Sequence, residues 1–179
     1  MNMIITLAFL GILVHAFAEE CELMPAAEEF DSEKYFSIPL VYVTHSRSRG
    51  KEDVCRKYQT TRNSDGTIET LVSGDYKEGD TSPKSVVKCI NKPKNKGQFS
   101  VECEVLEGTG SNQKIQLETS VIATDNKNYA FLQRCSTSGL GDILVLQTNS
   151  SNVDPGVKKV FDLNKWNINE WSSRNSVVC

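Results

Sequence analysis

Apolar and polar residues alternate along most of this chain with a period of two, the pattern of half-buried strands rather than helices. The densest stretch is FSIPLVYVTHS, from Phe36 to Ser46. Between Leu40 and Thr44 it is rich in Val, Leu and Tyr, which fit a pleated surface. Pro39 can sit only at a strand's first position or on an edge, so a first strand is predicted just beyond it. Upstream, Asp31 to Phe36 is polar and then aromatic. That order predicts a short turn that drops two rings under a sheet as a plug. Cys55 to Arg62 alternates, Ser64-Asp65-Gly66 is a hairpin turn signal, and Thr67 to Asp75 returns as a strand. Ser85 to Ile90 and Gln98 to Val105 form a further hairpin around the Lys-rich run Lys92 to Lys96, read as a solvated tip. Gln113 to Thr124, the tight turn Asp125 to Asn128, Tyr129 to Cys135 and Ile143 to Thr148 complete the set.

Eight strands joined in sequence mostly by short loops predict an all-β domain, an eight-stranded antiparallel up-and-down barrel. A two-sheet sandwich is the structural alternative. The period changes at Asp154-Pro155-Gly156, where Asp and then Pro suit a helix start. Val157, Val160, Phe161 and Trp166 can share one face, so a C-terminal helix is expected on the outside of the barrel, with Trp166 and Trp171 packed beneath it.

The ends add a compartment to this picture. Ile4 to Val14 is an apolar run followed by Ala16-Phe17-Ala18, a small-x-small cleavage signature. It is short of the about 20 apolar residues that a membrane span needs. Residues 1–18 are therefore expected to be a secretory signal peptide and residues 19–179 a single extracellular domain with no membrane span. The formal net charge of -3 argues against nucleic acid, which requires a basic surplus. Six cysteines remain after the leader: Cys21, Cys55, Cys89, Cys103, Cys135 and Cys179. An even number in a secreted chain implies disulfides and leaves their pairing open.

Enzyme chemistry finds little support. Beyond the leader, His45 is the sole histidine, so a Ser-His-Asp or Cys-His arrangement would have to use it. At the end of the first strand a structural hydrogen bond is the expected role. Glu102 and Glu104 fall on one strand face and are expected to meet solvent. No metal-ligand spacing and no Gly-rich phosphate loop occurs. The chain is expected not to be an enzyme and to hold no metal. An eight-stranded barrel, in contrast, encloses room for one small ligand.

Taken together, FDSEKYF, YVTH, VCRKYQTT, GQFSVECEV, the ETSVIATD and KNYA segments and VDPGV resemble the triatomine salivary lipocalins of the triabin and nitrophorin family, and within it the pallidipin and dipetalodipin branch. The resemblance spans essentially the whole chain. It implies a lipocalin barrel and pairing of Cys21 with Cys135, Cys55 with Cys179, and Cys89 with Cys103. It departs from lipocalins generally in having Ile38 and Val41 where Gly and Trp are usual. Haem-binding members hold iron through a third-strand histidine; the alignment puts Ser73 there, so no haem or other cofactor is expected.

If Cys135 holds the N-terminal segment and Cys55 the C-terminal tail, both sulfurs face outwards and their neighbours inwards. Arg56, Tyr58, Leu132 and Arg134 then line the cavity. By the same alternation and the family alignment, Leu71, Ser73, Ile143, Val145 and Gln147 join them. An interior arginine is costly unless paired: it either meets an internal acid such as Glu69 or receives an anionic ligand.

The resemblance implies a salivary protein that impairs platelet aggregation or clotting in a host, acting as a monomer. A small hydrophobic anion, an eicosanoid such as thromboxane, is the first expectation. ADP or a biogenic amine is the second, and a triabin-like surface inhibitor of a clotting protease the third. A filled barrel without a high-affinity ligand is the bland alternative. Asn149-Ser150-Ser151 is an N-glycosylation acceptor in a surface loop.

Overall fold

The structure, a computed structural model of the 179-residue chain, describes residues 20–48, 54–76, 85–108, 110 and 112–174. The expected leader at residues 1–18 and the expected Cys55–Cys179 bond fall outside that set at one or both partners. Cys55 is disulfide-bonded.

The elements are α1 (Ser32–Tyr35), β1 (Leu40–Ser46), β2 (Val54–Arg62), β3 (Ile68–Tyr76), β4 (Ser85–Asn95), β5 (Gln98–Glu107), β6 (Lys114–Thr124), β7 (Tyr129–Ser136), β8 (Gly141–Gln147), α2 (Pro155–Leu163) and β9 (Ser172–Ser173). Strands β2 to β8 pair antiparallel in sequence, β8 pairs with β1, and β1 pairs back with β2. The result is the expected eight-stranded closed barrel with a C-terminal helix. The KPKNK run is exposed at the end of the β4–β5 hairpin as expected, with β4 continuing to Asn95 and with Lys92 and Lys94 paired to Glu102 of β5 and Glu118 of β6.

Closure at β1 and β2 is short, from Leu40↔Gln59 to Tyr42↔Lys57. A bulge between Val43 and His45 then bends β1 away, as bulges do. The fork is filled by β9, whose Ser173 and Ser172 pair with His45 and Ser46. The Arg174 N–H donates to the Thr44 carbonyl at 2.8 Å. This ninth strand has no alternation signal, being two residues long.

Apolar side chains form two clusters on opposite sides of β7 and β8. Inside the barrel, Phe30, Phe36, Phe99, Val43, Leu144 and Leu146 pack together. Outside, α2 lays Val157, Val160 and Phe161 on Phe131, Ile143 and Val145. Asp154 caps this helix by accepting from the Gly156 N–H at 2.7 Å, with Pro155 at its first position. Trp166 and Trp171 lie with Phe161 as expected, the Phe161–Trp171 centroids 4.8 Å apart and tilted by 70°. Such edge-to-face pairs add about 0.5–1.5 kcal/mol beyond burial.

The chain ahead of β1 crosses one end of the barrel as a strap. Cys21 is bonded to Cys135. Gln133 accepts from the Met24 N–H at 2.6 Å and donates to the Glu22 carbonyl at 2.8 Å. The Ala27 N–H donates to the Val121 carbonyl at 2.8 Å. Gly97, at φ 71°, turns β4 into β5 directly beneath the strap, where a Cβ would come within 2.6 Å of that of Ala26. The strap ends in α1, capped by the Asp31 carboxylate. Its rings close the barrel: Phe36 meets Phe99 at 5.2 Å and Phe30 meets Tyr35 at 5.3 Å. The expected aromatic plug is therefore present, as a single helical turn. The Cys89–Cys103 bond joins directly paired positions of β4 and β5.

Candidate functional site

The barrel encloses a cavity of about 760 Å³. Tyr35, Phe36 and Phe99 line its closed end. Ser48, Ser138 and Leu140 line the other end; Leu140 is 75% exposed, which marks that end as the mouth. The wall between is mostly aliphatic, with Val41, Val72, Val101, Val121, Leu132 and Leu146.

Of the residues expected here, Arg56, Tyr58, Leu132 and Arg134 are on the wall. Five others are not. On β3 the inward positions are Thr70, Val72 and Gly74, directly paired with Thr60, Tyr58 and Arg56 of β2. Leu71 and Ser73 sit one residue out of step and point outwards. On β8 the wall residues are Asp142 and Leu146, while Ile143 and Val145 face α2. Gln147 also faces out: its amide donates to Thr44 Oγ1 at 2.6 Å and accepts from the Asp154 N–H at 2.7 Å, pinning the start of α2. The physical reason on β8 is its pairing. Gly141 lies opposite outward-facing Cys135, and the Cys21 sulfur fills the place of a Gly141 Cβ, 2.3 Å away. Every second residue from Gly141 therefore faces out.

The two wall arginines differ. Arg134 Nη2 pairs with Asp142 Oδ2 at 3.3 Å. Asp142 also accepts from Ser46 Oγ, the Ser48 N–H and its neighbour the Ile143 N–H at 2.8–2.9 Å. Burial works to lower the Arg134 pKa, but the Tyr58 phenol and the Asp142 carboxylate outweigh it and hold it above the ordinary arginine value. Its Nε is buried without a hydrogen-bond partner. The internal acid is thus Asp142 and not Glu69, which lies outside and pairs with Lys88 at 3.1 Å. Arg56, half-buried, has no ion pair or hydrogen bond among the described residues. A third arginine was not anticipated. Arg174, following β9, is buried, and burial first and the Arg56 charge next lower its pKa. Among the described residues, this end of the cavity lining holds Arg56, Arg134 and one carboxylate, Asp142.

Neutral polar groups collect at the closed end. Thr60 Oγ1 lies 3.2 Å from Thr70 Oγ1, to which Asn91 Nδ2 donates at 3.0 Å. Burial, and secondarily Tyr58, pushes the Tyr35 phenol well above the usual tyrosine range. His45 is away from the cavity, 6.3 Å from Phe161, with Nδ1 3.1 Å from Thr44 Oγ1. Burial first and Arg174 next push its pKa down to about 4, so it is the neutral, structural histidine that its position predicts. Glu102 and Glu104 are exposed. Asn149 is exposed, its Oδ1 accepting from the Ser151 and Asn152 N–H groups at 2.8 and 3.1 Å. A guanidinium with no counter-ion among the described residues, set in an apolar hollow, favours an anion with an apolar body, since an unpaired charge away from water is costly.

Comparison with known proteins agrees with this architecture. The family model described as Triabin matches residues 18–161. Pallidipin of Meccus pallidipennis is 58% identical over all of this chain and 98% of its own length. Platelet inhibitor triplatin-2 of Triatoma infestans is 50% identical over the whole of both chains. Among solved structures, the tryptamine complex of the amine binding protein of Rhodnius prolixus superposes with a TM-score of 0.73 at 18% identity, covering 88% of this chain and 87% of its own. A leukotriene C4 complex of LTBP1 gives a TM-score of 0.59 at 26% identity, covering 78% and 84%.

Proposed function

The chain belongs to the triabin family of triatomine salivary lipocalins, and we propose that it is a secreted monomer that inhibits host platelet aggregation by sequestering an anionic lipid mediator, an eicosanoid such as thromboxane. It is a binding protein and not an enzyme in this reading. The supporting observation is Arg56, a cation on the wall of an apolar cavity with no counter-ion among the described residues. Arg134, already held by Asp142, assists. A charge-assisted hydrogen bond from Arg56 to a carboxylate contributes about 1.5–3 kcal/mol. The cavity volume falls in the range of about 300–1,000 Å³ common to small-molecule pockets. The name of triplatin-2 supports the platelet role, and the leukotriene C4 complex supports a lipid mediator.

An amine is less well served. Asp142 is the acid on the wall among the described residues, and Arg134 neutralises it. Haem forms no part of the proposal, since the cavity-facing side chains of β3 are those of Thr70 and Val72.

The test is calorimetry of the oxidised mature protein against a stable thromboxane analogue, with ADP and serotonin as comparators. One-to-one binding of the lipid alone is expected, together with inhibition of thromboxane-driven platelet aggregation. Arg56→Ala should weaken it about 10- to 150-fold, the equivalent of one such hydrogen bond. Heat with ADP or serotonin alone would overturn the lipid assignment. Silence from all three would move the function to a protein target on the outer surface.

A further inference from the structure

Several lysines outside α2 are held in place. Lys34, Lys88, Lys92 and Lys94 each meet a carboxylate at 2.5–3.1 Å, and Lys96 donates to the Glu28 carbonyl. The outer face of α2 differs. Val157, Val160 and Phe161 face the barrel, so the helical period turns Lys158, Lys159, Asp162 and Leu163 to solvent, and all four are exposed. The ammonium groups of Lys158, Lys159 and Lys165 have no ion pair or hydrogen bond among the described residues. Asp162 lies between them and pairs with none.

Two further features belong to this face. Leu163 is 72% exposed, four residues after Lys159 and so on the same side of the helix. The helix then ends in a Schellman turn: the Trp166 N–H donates to the Phe161 carbonyl at 2.9 Å and the Lys165 N–H to the Asp162 carbonyl at 3.1 Å. The left-handed position of that turn, usually Gly, is Lys165 at φ 55°. The backbone alone favours glycine there, so the lysine side chain stands against a local preference. Pro155 to Trp166 thus carries three lysines against one aspartate, in a chain whose formal net charge is -3.

We propose that the outer face of α2 docks on an anionic phospholipid surface, with Lys158, Lys159 and Lys165 at the headgroups and Leu163 entering the interface. The unpaired cations complement an anionic leaflet. The convex side of a single helix offers no groove for a folded protein, and an exposed leucine gains nothing from a sulfated glycan. At nine residues α2 is too short to cross a bilayer and would lie along its surface. Docking by this face is independent of what the cavity holds.

The test is co-sedimentation of the oxidised mature protein with vesicles of phosphatidylcholine, alone or with about 30% phosphatidylserine. Each lysine close to an anionic surface contributes about fivefold to partitioning. Binding is expected only with the serine lipid and should fall as salt rises. The double variant Lys158→Gln, Lys159→Gln should lower it about 25-fold, and Leu163→Gln about three- to tenfold. Lys165→Gly should lower it about fivefold without lowering Tm. Asp162→Asn should raise it about fivefold, a gain that no misfolded variant would show. Equal binding to the two vesicle types, binding to neither, or unchanged binding by the double lysine variant would overturn the proposal. Retention on heparin at physiological salt, with no vesicle binding, would overturn it in favour of a sulfated glycan.

Discussion

Replacing Arg56 and Arg134 separately by methionine should move the melting temperature in opposite directions, although both side chains lie on one wall. Methionine retains the length and packing of the arginine stem and deletes the charge. At Arg134 the deletion strands Asp142, whose side chain is 12% exposed and 3.3 Å from Nη2. Breaking a fully buried pair costs about 3–5 kcal/mol. Here Asp142 retains Ser46 Oγ and the Ser48 and Ile143 N–H groups, and Arg134 is 29% exposed, so about 1–3 kcal/mol is expected. At about 2–4 °C per kcal/mol for a domain of this size, a 2 kcal/mol loss lowers Tm by about 4–8 °C. At Arg56 no partner is stranded among the described residues, and the repulsion felt by Arg174 is relieved. A gain of about 0.5–1 kcal/mol is typical when a functional compromise is removed, so Tm should rise by about 1–4 °C while lipid affinity falls as proposed for Arg56→Ala. Thermal denaturation of the two variants, each with the disulfides intact, checks both signs. A lower Tm for Arg56→Met, or an unchanged one for Arg134→Met, would refute the assignment of paired and unpaired roles.

His45 imposes a pH dependence. The unfolded chain takes up its proton near pH 6.5, while the native protein resists until about pH 4. Stability should therefore fall as pH drops through that window, by up to about 1.4 kcal/mol per unit, and His45→Gln should flatten the slope in denaturant titrations at pH 7 and 5. Phe161→Ala removes the ring that joins α2 to Phe131, Trp166 and Trp171; a loss of about 3–5 kcal/mol is expected, read as a lower denaturation midpoint. Protein secreted from insect cells should show a glycosidase-sensitive mass increment that disappears in Asn149→Gln, with lipid affinity unchanged because Asn149 follows β8 at the end away from the mouth.

The strands and the plug were legible because each is written locally: alternation, a Pro at the strand entry, Asp-Gly and Asp-Asn turns, an Asp-Pro helix start. The facing of Arg56, Tyr58, Leu132 and Arg134 was legible because a cysteine on each of those strands marks the outer side. Transferring that facing to β3 and β8 failed, since a one-residue slip in register exchanges the two faces. On β8 the residues themselves gave no help. Leu144 and Leu146 face the interior while Ile143 and Val145 face α2, so both sides are apolar and alternation vanishes. The usable signal was Gly141, a position that must lack a side chain beside an outward disulfide. Asp142 was missed for the same reason, and Arg174 because β9 is too short to show any period.

The strap across the closed end gives the vessel a direction. Any amphiphile held with its anion at Arg56 must have gone in tail first and must leave head first through the rim at Leu140. Its tail is measured against the packed rings of Phe36 and Phe99, whereas its head lies towards the rim. Discrimination by such a vessel should be stricter for tail length than for the size of the head.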